Sequence, residues 1–287
     1  MKTDEMENAA PISLPRRDRA ASKRDFGRLL IVAGSVGYTG APTLASRAAV
    51  RGGAGLVYLG VPRDIYAITA VKNDEAMPFP LPCDGGGLLT AAALEELCPR
   101  LERADCLAIG PGLGRSRGVR ELVLALLRRS RVPTVLDADG LWAVSQDPDV
   151  LGSLSAPLVL TPHEGEFARL GGDLSAGRVG AALAFAARRG CALVLKGQDT
   201  VVAFPHGELY VNHTGNPGMA RGGSGDVLTG LMGALLCQLP LREAVCAAVY
   251  LHGLAGDLCA AEMGEYGMTP TDIIEKLPSA MKSITEV

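Results

Sequence analysis

A layered α/β protein, with helices on both faces of one mostly parallel sheet, is the fold class the sequence predicts. Three observations carry that prediction. Short apolar runs alternate with amphipathic stretches of helical length from Arg28 onward, which implies parallel pairing through crossover helices. No break in composition divides residues 26–287, so they read as one domain. The polar and glycine-rich segments at 34–40, 110–114, 137–140, 161–166 and 196–200 each follow an apolar run. Open sheets of this kind bind ligands beyond the carboxyl ends of their strands.

The elements follow in order. LLIVA (29–33) is strand-like and runs into a glycine-rich loop (34–40). A helix then starts with Pro42 in its first turn and stops at Gly52-Gly53. GLVYLGV (55–61) is the next strand, and the proline-rich passage 75–83 reads as irregular. Residues 90–103 are helical in pattern, and CLAIG (106–110) is a buried strand leading into PGLGRSRG (111–118). A helix over 119–130 precedes PTVLDADG (133–140), a strand with acids at its carboxyl end. LVLTPHEGEF (158–167) repeats that plan. So does ALVLKGQDT (192–200), which an alanine-rich helix over 178–189 precedes. VVAF and ELYV flank a Pro-His-Gly turn and form a hairpin. Two long helices, 225–237 and 241–262, close the reading.

Composition narrows the function. A net charge of −3 gives no electrostatic case for nucleic acid or an anionic membrane surface as partner. The aromatic content, 4%, is too low for platforms that stack bases. The seven cysteines form no C-x-x-C pair and are odd in number, so they read as small buried hydrophobes in a reducing, cytoplasmic setting. Residues 1–25 mix acids, bases and prolines without an apolar core. They read as a flexible or loosely docked arm, neither signal peptide nor membrane anchor.

GMARGGSGDVLTGLMGALL (218–236) carries the strongest chemical signal. Gly222, Gly223, Ser224 and Gly225 lead directly into an amphipathic helix, so their N–H groups and the helix dipole can face an anion. Glycine is required because a phosphate must approach the main chain. Asp226 follows in the first turn. A carboxylate there would repel a phosphate unless its task is to accept a proton from a hydroxyl attacking that phosphate. The plainer alternative is an acid placed to stabilise the helix dipole, worth about 0.3–1 kcal/mol. There is no G-x-x-x-x-G-K-S/T segment, and GPGLG (110–114) lacks the G-x-G-x-x-G spacing of a dinucleotide fold. Asp137 and Asp139 suit polar ligand or Mg2+–water contacts, and Asp139 equally suits a helix cap. Trp142 reads as packing.

AGSVGYTGAP (33–42), IGPGLGR (109–115), LDADGL (136–141), TPHEGEF (161–167), LKGQDT (195–200) and NPGMARGGSGDVLTG (216–230) occur in this order. Together they resemble the ADP- or ATP-dependent NAD(P)H-hydrate dehydratases, over about residues 26–277. That resemblance implies a ribokinase-like three-layer α/β/α sandwich. It also implies that Ala41, Gly112, Gly114, His163 and Asp226 contact the hydrate, with Asp226 as base. Lys196, Gly197, Gln198, Asp199 and Thr200, with Gly222, Gly223, Ser224 and Gly225, would bind the nucleotide. Glu166 would hold Mg2+ through water. Two plainer alternatives stay open: His163 as a helix-start residue with a structural hydrogen bond, and 196–200 as a simple turn. Arg221 departs from the family, where threonine is usual.

The implied reaction is a hydro-lyase step in metabolite repair. Hydroxide leaves poorly and phosphate leaves well, so (6S)-NAD(P)H hydrate would be phosphorylated by ADP, with Mg2+ present, and then lose phosphate to give NAD(P)H, AMP and phosphate. The resemblance is to the stand-alone form, with a separate hydrate epimerase as the companion activity and a homo-oligomer, a tetramer, as the assembly. Two rival readings are an ordinary kinase for a thiazole or pyrimidine alcohol and a non-catalytic nucleotide-sensing module.

Overall fold

Alternation along the first strand sets the layers. In β1 (Arg28–Val32), Leu29 and Ile31 enter one apolar core while Leu30 and Val32 enter another. Successive side chains of a strand point to opposite faces, so an all-apolar strand must be covered on both. The computed structural model describes residues 12–286. In it β1 sits inside a nine-stranded sheet with β2 (Leu56–Pro62), β3 (Met77–Leu81), β4 (Cys106–Ile109), β5 (Thr134–Leu136), β6 (Leu158–Leu160), β7 (Ala192–Leu195), β8 (Thr200–Ala203) and β9 (Leu209–Asn212). Their order is β3-β2-β1-β4-β5-β6-β7-β8-β9. The first seven strands pair in parallel, and β8 and β9 add an antiparallel hairpin at one edge.

Helices fill both faces. On the Leu29 side lie α1 (Gly40–Arg51), α8 (Ser224–Leu236), α9 (Leu241–Met263) and α10 (Pro270–Ile284). On the Leu30 side lie α3 (Ala93–Leu101), α4 (Arg117–Arg129), α5 (Asp139–Ser145), α6 (Glu164–Arg169) and α7 (Gly177–Arg189). The three-layer sandwich expected from the sequence is therefore present. α4 shows local logic at its start, where the Ser116 hydroxyl accepts from the Val119 N–H at 3.1 Å. α1 and α8 meet backbone to backbone: a Cβ added at Gly230 would lie 1.9 Å from the Ala45 carbonyl oxygen. α9 is long and apolar enough to cross a membrane, but Ala244, Val245, Ala248 and Leu251 bury it in the core.

Three stretches depart from the expected pattern. The passage 75–83, expected to be irregular, contains β3 as the outermost strand. Pro78 and Pro80 alternate, so both missing N–H groups fall on one side of the strand, the open edge, where no ladder bond is lost. The nine-residue α2 (Arg63–Val71) follows β2 and was not anticipated. α10 runs through Pro278, which reads as a breaker; a Thr269–Asp272 capping box and burial of Ile273, Ile274 and Leu277 outweigh the proline's cost of about 3 kcal/mol. Of the stretch 1–25 read as an arm, residues 1–11 lie outside the described residues. Residues 12–25 lie on the body. Leu14 bonds Ile284 and Glu286 through its backbone, and Arg17 stacks on Phe26 while donating to Gly53 O and Gln238 Oε1.

Candidate active site

Strand order reverses at β1, which lies between β2 and β4. At such a switch point the loops at the carboxyl ends part and leave a crevice. Here the loop after β1 is tied to the loop after β4. Gly34 N–H donates to Pro111 O at 2.8 Å, and Ser35 Oγ donates to Gly112 O at 2.8 Å. A Cβ placed on Gly112 would lie 3.0 Å from the Ala41 Cβ, so these two predicted residues share one wall. Gly114 N–H donates to Asp139 Oδ2 at 2.9 Å, and Arg115 Nε pairs with Asp139 Oδ1 at 3.0 Å. Asp139 is the first residue of α5, not its cap; the capping position is Ala138, whose side chain has nothing to offer.

The start of α8 has open donors. Among the described residues the N–H groups of Gly222, Gly223, Gly225 and Asp226 have no protein acceptor, while Ser224 N–H reaches Arg221 O at 3.3 Å. Gly223 precedes the helix at φ +104°, a conformation that favours glycine. Asp226 is partly buried and accepts no side-chain hydrogen bond among those residues. Burial, reinforced by the Asp137 charge and opposed by Lys196, pushes its carboxyl up to about 7. That is the range in which a general base both exists ionised and binds a proton well near neutral pH.

Beneath this turn lies a buried ion pair. Lys196 Nζ is 2.8 Å from Asp137 Oδ1, which also accepts from Thr161 Oγ1 at 2.7 Å, and Asp137 Oδ2 accepts from Thr229 Oγ1 at 2.9 Å. Burial works against the Lys196 ammonium, yet the carboxylates of Asp137, Glu166 and Asp226 outweigh it and hold its pKa above the usual lysine value. A Cβ at Gly225 would lie 3.4 Å from Lys196 Nζ, so the strand-end lysine and the glycine turn meet.

A cavity of about 900 Å3 opens beside them. His163, Lys196, Gly197, Gln198, Asp199, Ser224 and Gly225, all expected at the site, line it together. Ala41, Gly112, Gly114, Gly222, Gly223 and Asp226 lie outside that lining. Thr200 does not line it either; its hydroxyl donates to Gly197 O at 2.9 Å and pins the turn. Both roles considered for His163 are compatible. It caps α6 through Nδ1, which accepts from Gly165 N–H at 3.0 Å, while its exposed ring lines the cavity with Nε2 3.6 Å from Glu166 Oε2. Glu166 completes the capping box by accepting from His163 N–H at 2.9 Å through Oε2. Arg221 lines the mouth and donates to Tyr266 O.

Sequence reading missed part of this wall. The loop 212–221 supplies much of it, held by Asp257, which accepts from Gly215 N–H and Asn216 Nδ2 at 2.9 and 3.0 Å. His252 of α9 also faces the cavity. Its buried Nε2 and the buried Ser224 Oγ have no hydrogen-bond partner among the described residues. Burial, with the Lys196 charge, holds the imidazole down at about 4, so it is neutral near neutral pH. Inside a long apolar helix, a single histidine gave no spacing signal.

Anion-ready amides, a base in the next turn and a deep cavity on this sheet define a nucleotide-binding protein of the ribokinase-like class. A ribokinase-like superfamily protein from Enterococcus faecalis superposes with a TM-score of 0.84 at 30% identity, covering 96% of this chain and 93% of its own. The chain belongs to the NAD(P)H-hydrate dehydratase family, whose model matches residues 29–279. The ADP-dependent (S)-NAD(P)H-hydrate dehydratase of Bacillus subtilis is 36% identical over 275 residues, 94% of each chain. A crystal structure of the ADP/ATP-dependent enzyme from B. subtilis, co-crystallised with ATP/Mg2+, gives a TM-score of 0.78 at 30% identity, covering 95% of both chains. The bifunctional NAD(P)H-hydrate repair enzyme Nnr of Moorella thermoacetica is 47% identical over 279 residues, 95% of this chain and 52% of that protein. The chain thus spans about half the length of the bifunctional relatives.

Proposed function

We propose that this chain dehydrates (6S)-NAD(P)H hydrate to NAD(P)H at the expense of ADP. The observation that carries the reading is Asp226, a carboxylate poised near 7 and set one residue beyond unpaired amides at the start of α8. Asp226 takes the proton of the substrate hydroxyl as that oxygen attacks the terminal phosphorus of ADP, and AMP departs. The amides of Gly222, Gly223 and Gly225 and the Lys196 ammonium hold the transferred group's charge. The ring nitrogen's electron pair then expels phosphate, and loss of a proton from the neighbouring ring carbon restores NAD(P)H. Ala41, Gly112 and Gly114 seat the hydrate, His163 reaches it through Nε2, and residues 196–200 line the nucleotide.

Mg2+ fits this site in one way. Among the described residues no three His, Cys, Asp or Glu side chains converge as a direct cage. Mg2+ bound through substrate phosphates and waters needs only one or two carboxylates. Glu166, nearly buried and with Oε1 taking no donor among the described residues, would hold it through water. Bound there, the metal would neutralise phosphate charge. A hydrate epimerase is the companion activity, and the seven free cysteines accord with a reducing cytoplasm.

The test supplies hydrated cofactor, Mg2+ and either ADP or ATP, and follows nicotinamide absorbance. Return of absorbance with stoichiometric AMP and phosphate is expected with ADP. A stable phosphate ester without that return identifies an ordinary kinase instead.

A further inference from the structure

Asp137 has no place in the chemistry above, yet it is the most heavily engaged carboxylate near the site. It is 1% exposed and takes three hydrogen bonds, from Thr161, Lys196 and Thr229, each from a different element. The backbone is shaped to put it there. Ala138 adopts φ +49°, a strained conformation for a residue with a side chain, and this parts two neighbouring acids. Asp137 turns into the sheet end and Asp139 turns to the Gly114 loop. Gly110 makes room for the turn, since a Cβ there would lie 1.8 Å from Asp137 O.

We infer that Asp137 is the positioning residue of this site: its carboxylate fixes the Lys196 ammonium beneath Gly225 and sets the electrostatic surroundings in which Asp226 works as base. The distances support both halves. Asp137 Oδ2 would lie 3.7 Å, and Lys196 Nζ 3.4 Å, from a Cβ on Gly225, the residue before Asp226. A lone buried cation there would draw the Asp226 proton off and leave a weak base. A paired one still faces the phosphates while Asp137 offsets its pull. The charged groups that act on Asp226 are Asp137 at the end of β5, Lys196 at the end of β7 and Asp139 at the start of α5. The inference rests on the dehydratase reading only for the reaction that this base serves.

The experiment follows the Asp226 carboxyl by 13C NMR titration in the full chain, alongside the pH–rate profile with ADP. Asp137→Asn keeps shape and should move the Asp226 midpoint and the acid limb of the rate down by about one pH unit. That raises the ionised fraction on the limb about tenfold. The double variant Asp137→Asn/Lys196→Gln removes both charges, leaves no unpaired buried ion if the single variant fails to fold, and should move the midpoint down by less. A midpoint that stays put or rises in the folded variants overturns the inference, because a purely structural role lowers the rate without moving the limb. A shifted midpoint in a chain that shows no dehydration retains the inference and removes the reading of the function.

Discussion

Asp226 concentrates the residue-scale consequences. Asp226→Asn should cut turnover by about 10^2 to 10^4, the usual weight of a positioned base, while nucleotide affinity measured by calorimetry stays within a few-fold of wild type. Unchanged turnover would show that the proton goes elsewhere. The same substitution has a stability signature. The folded carboxyl titrates near 7 and the unfolded one near 3.8, so the folded state binds the extra proton between those values. The stabilising contribution of this group is full below pH 4 and is lost as pH rises through 7. The variant should therefore melt above wild type at pH 8, and the gap should close by about pH 4. Reading the Gly-Gly-Ser-Gly-Asp run was enough to place this acid at a helix start. It could not show the raised pKa, which depends first on burial and then on Asp137, brought in from the end of β5.

At the scale of elements, α1 and α8 meet main chain to main chain at Gly230. Gly230→Ala forces the two helices apart, because the added methyl would fall against the Ala45 carbonyl and backbone cannot step aside. Overpacking of this kind costs about 1–3 kcal/mol. Chemical denaturation should show that loss, and the proposed dehydration should slow with it because both helices frame the site. Most elements were legible from period and punctuation, as the apolar runs at 29–33, 106–110 and 192–195 show. β3 and α10 were hidden by prolines that local rules count as breakers. Edge position excuses Pro78 and Pro80, and burial of a whole helix face excuses Pro278; neither fact exists before the chain has folded.

The molecule as a whole couples its stability to its ligand. Anything that binds only the folded chain stabilises it by mass action, so ADP at a hundredfold excess over Kd should add about 2.7 kcal/mol. Asp226→Asn should keep that gain, since the base is not a nucleotide contact in this reading. A thermal shift absent from both proteins would argue against the cavity as a nucleotide site. At this scale the sequence could order the motifs but not partition them. It took the structure to separate the wall shared by Ala41 and Gly112 from the cavity lined by residues 196–199, and to add residues 212–215 and His252, which carry no motif.

One consequence of the Gly230–Ala45 contact reaches the chemistry. Ala41 and Asp226 stand at the leading ends of two rods welded main chain to main chain. The relation between the wall at Ala41 and the base is therefore set by two main chains and not by how any long side chain settles. Whatever must give way to admit two bulky ligands is then sought in the loops around that joint, among them 212–221, rather than in the joint itself.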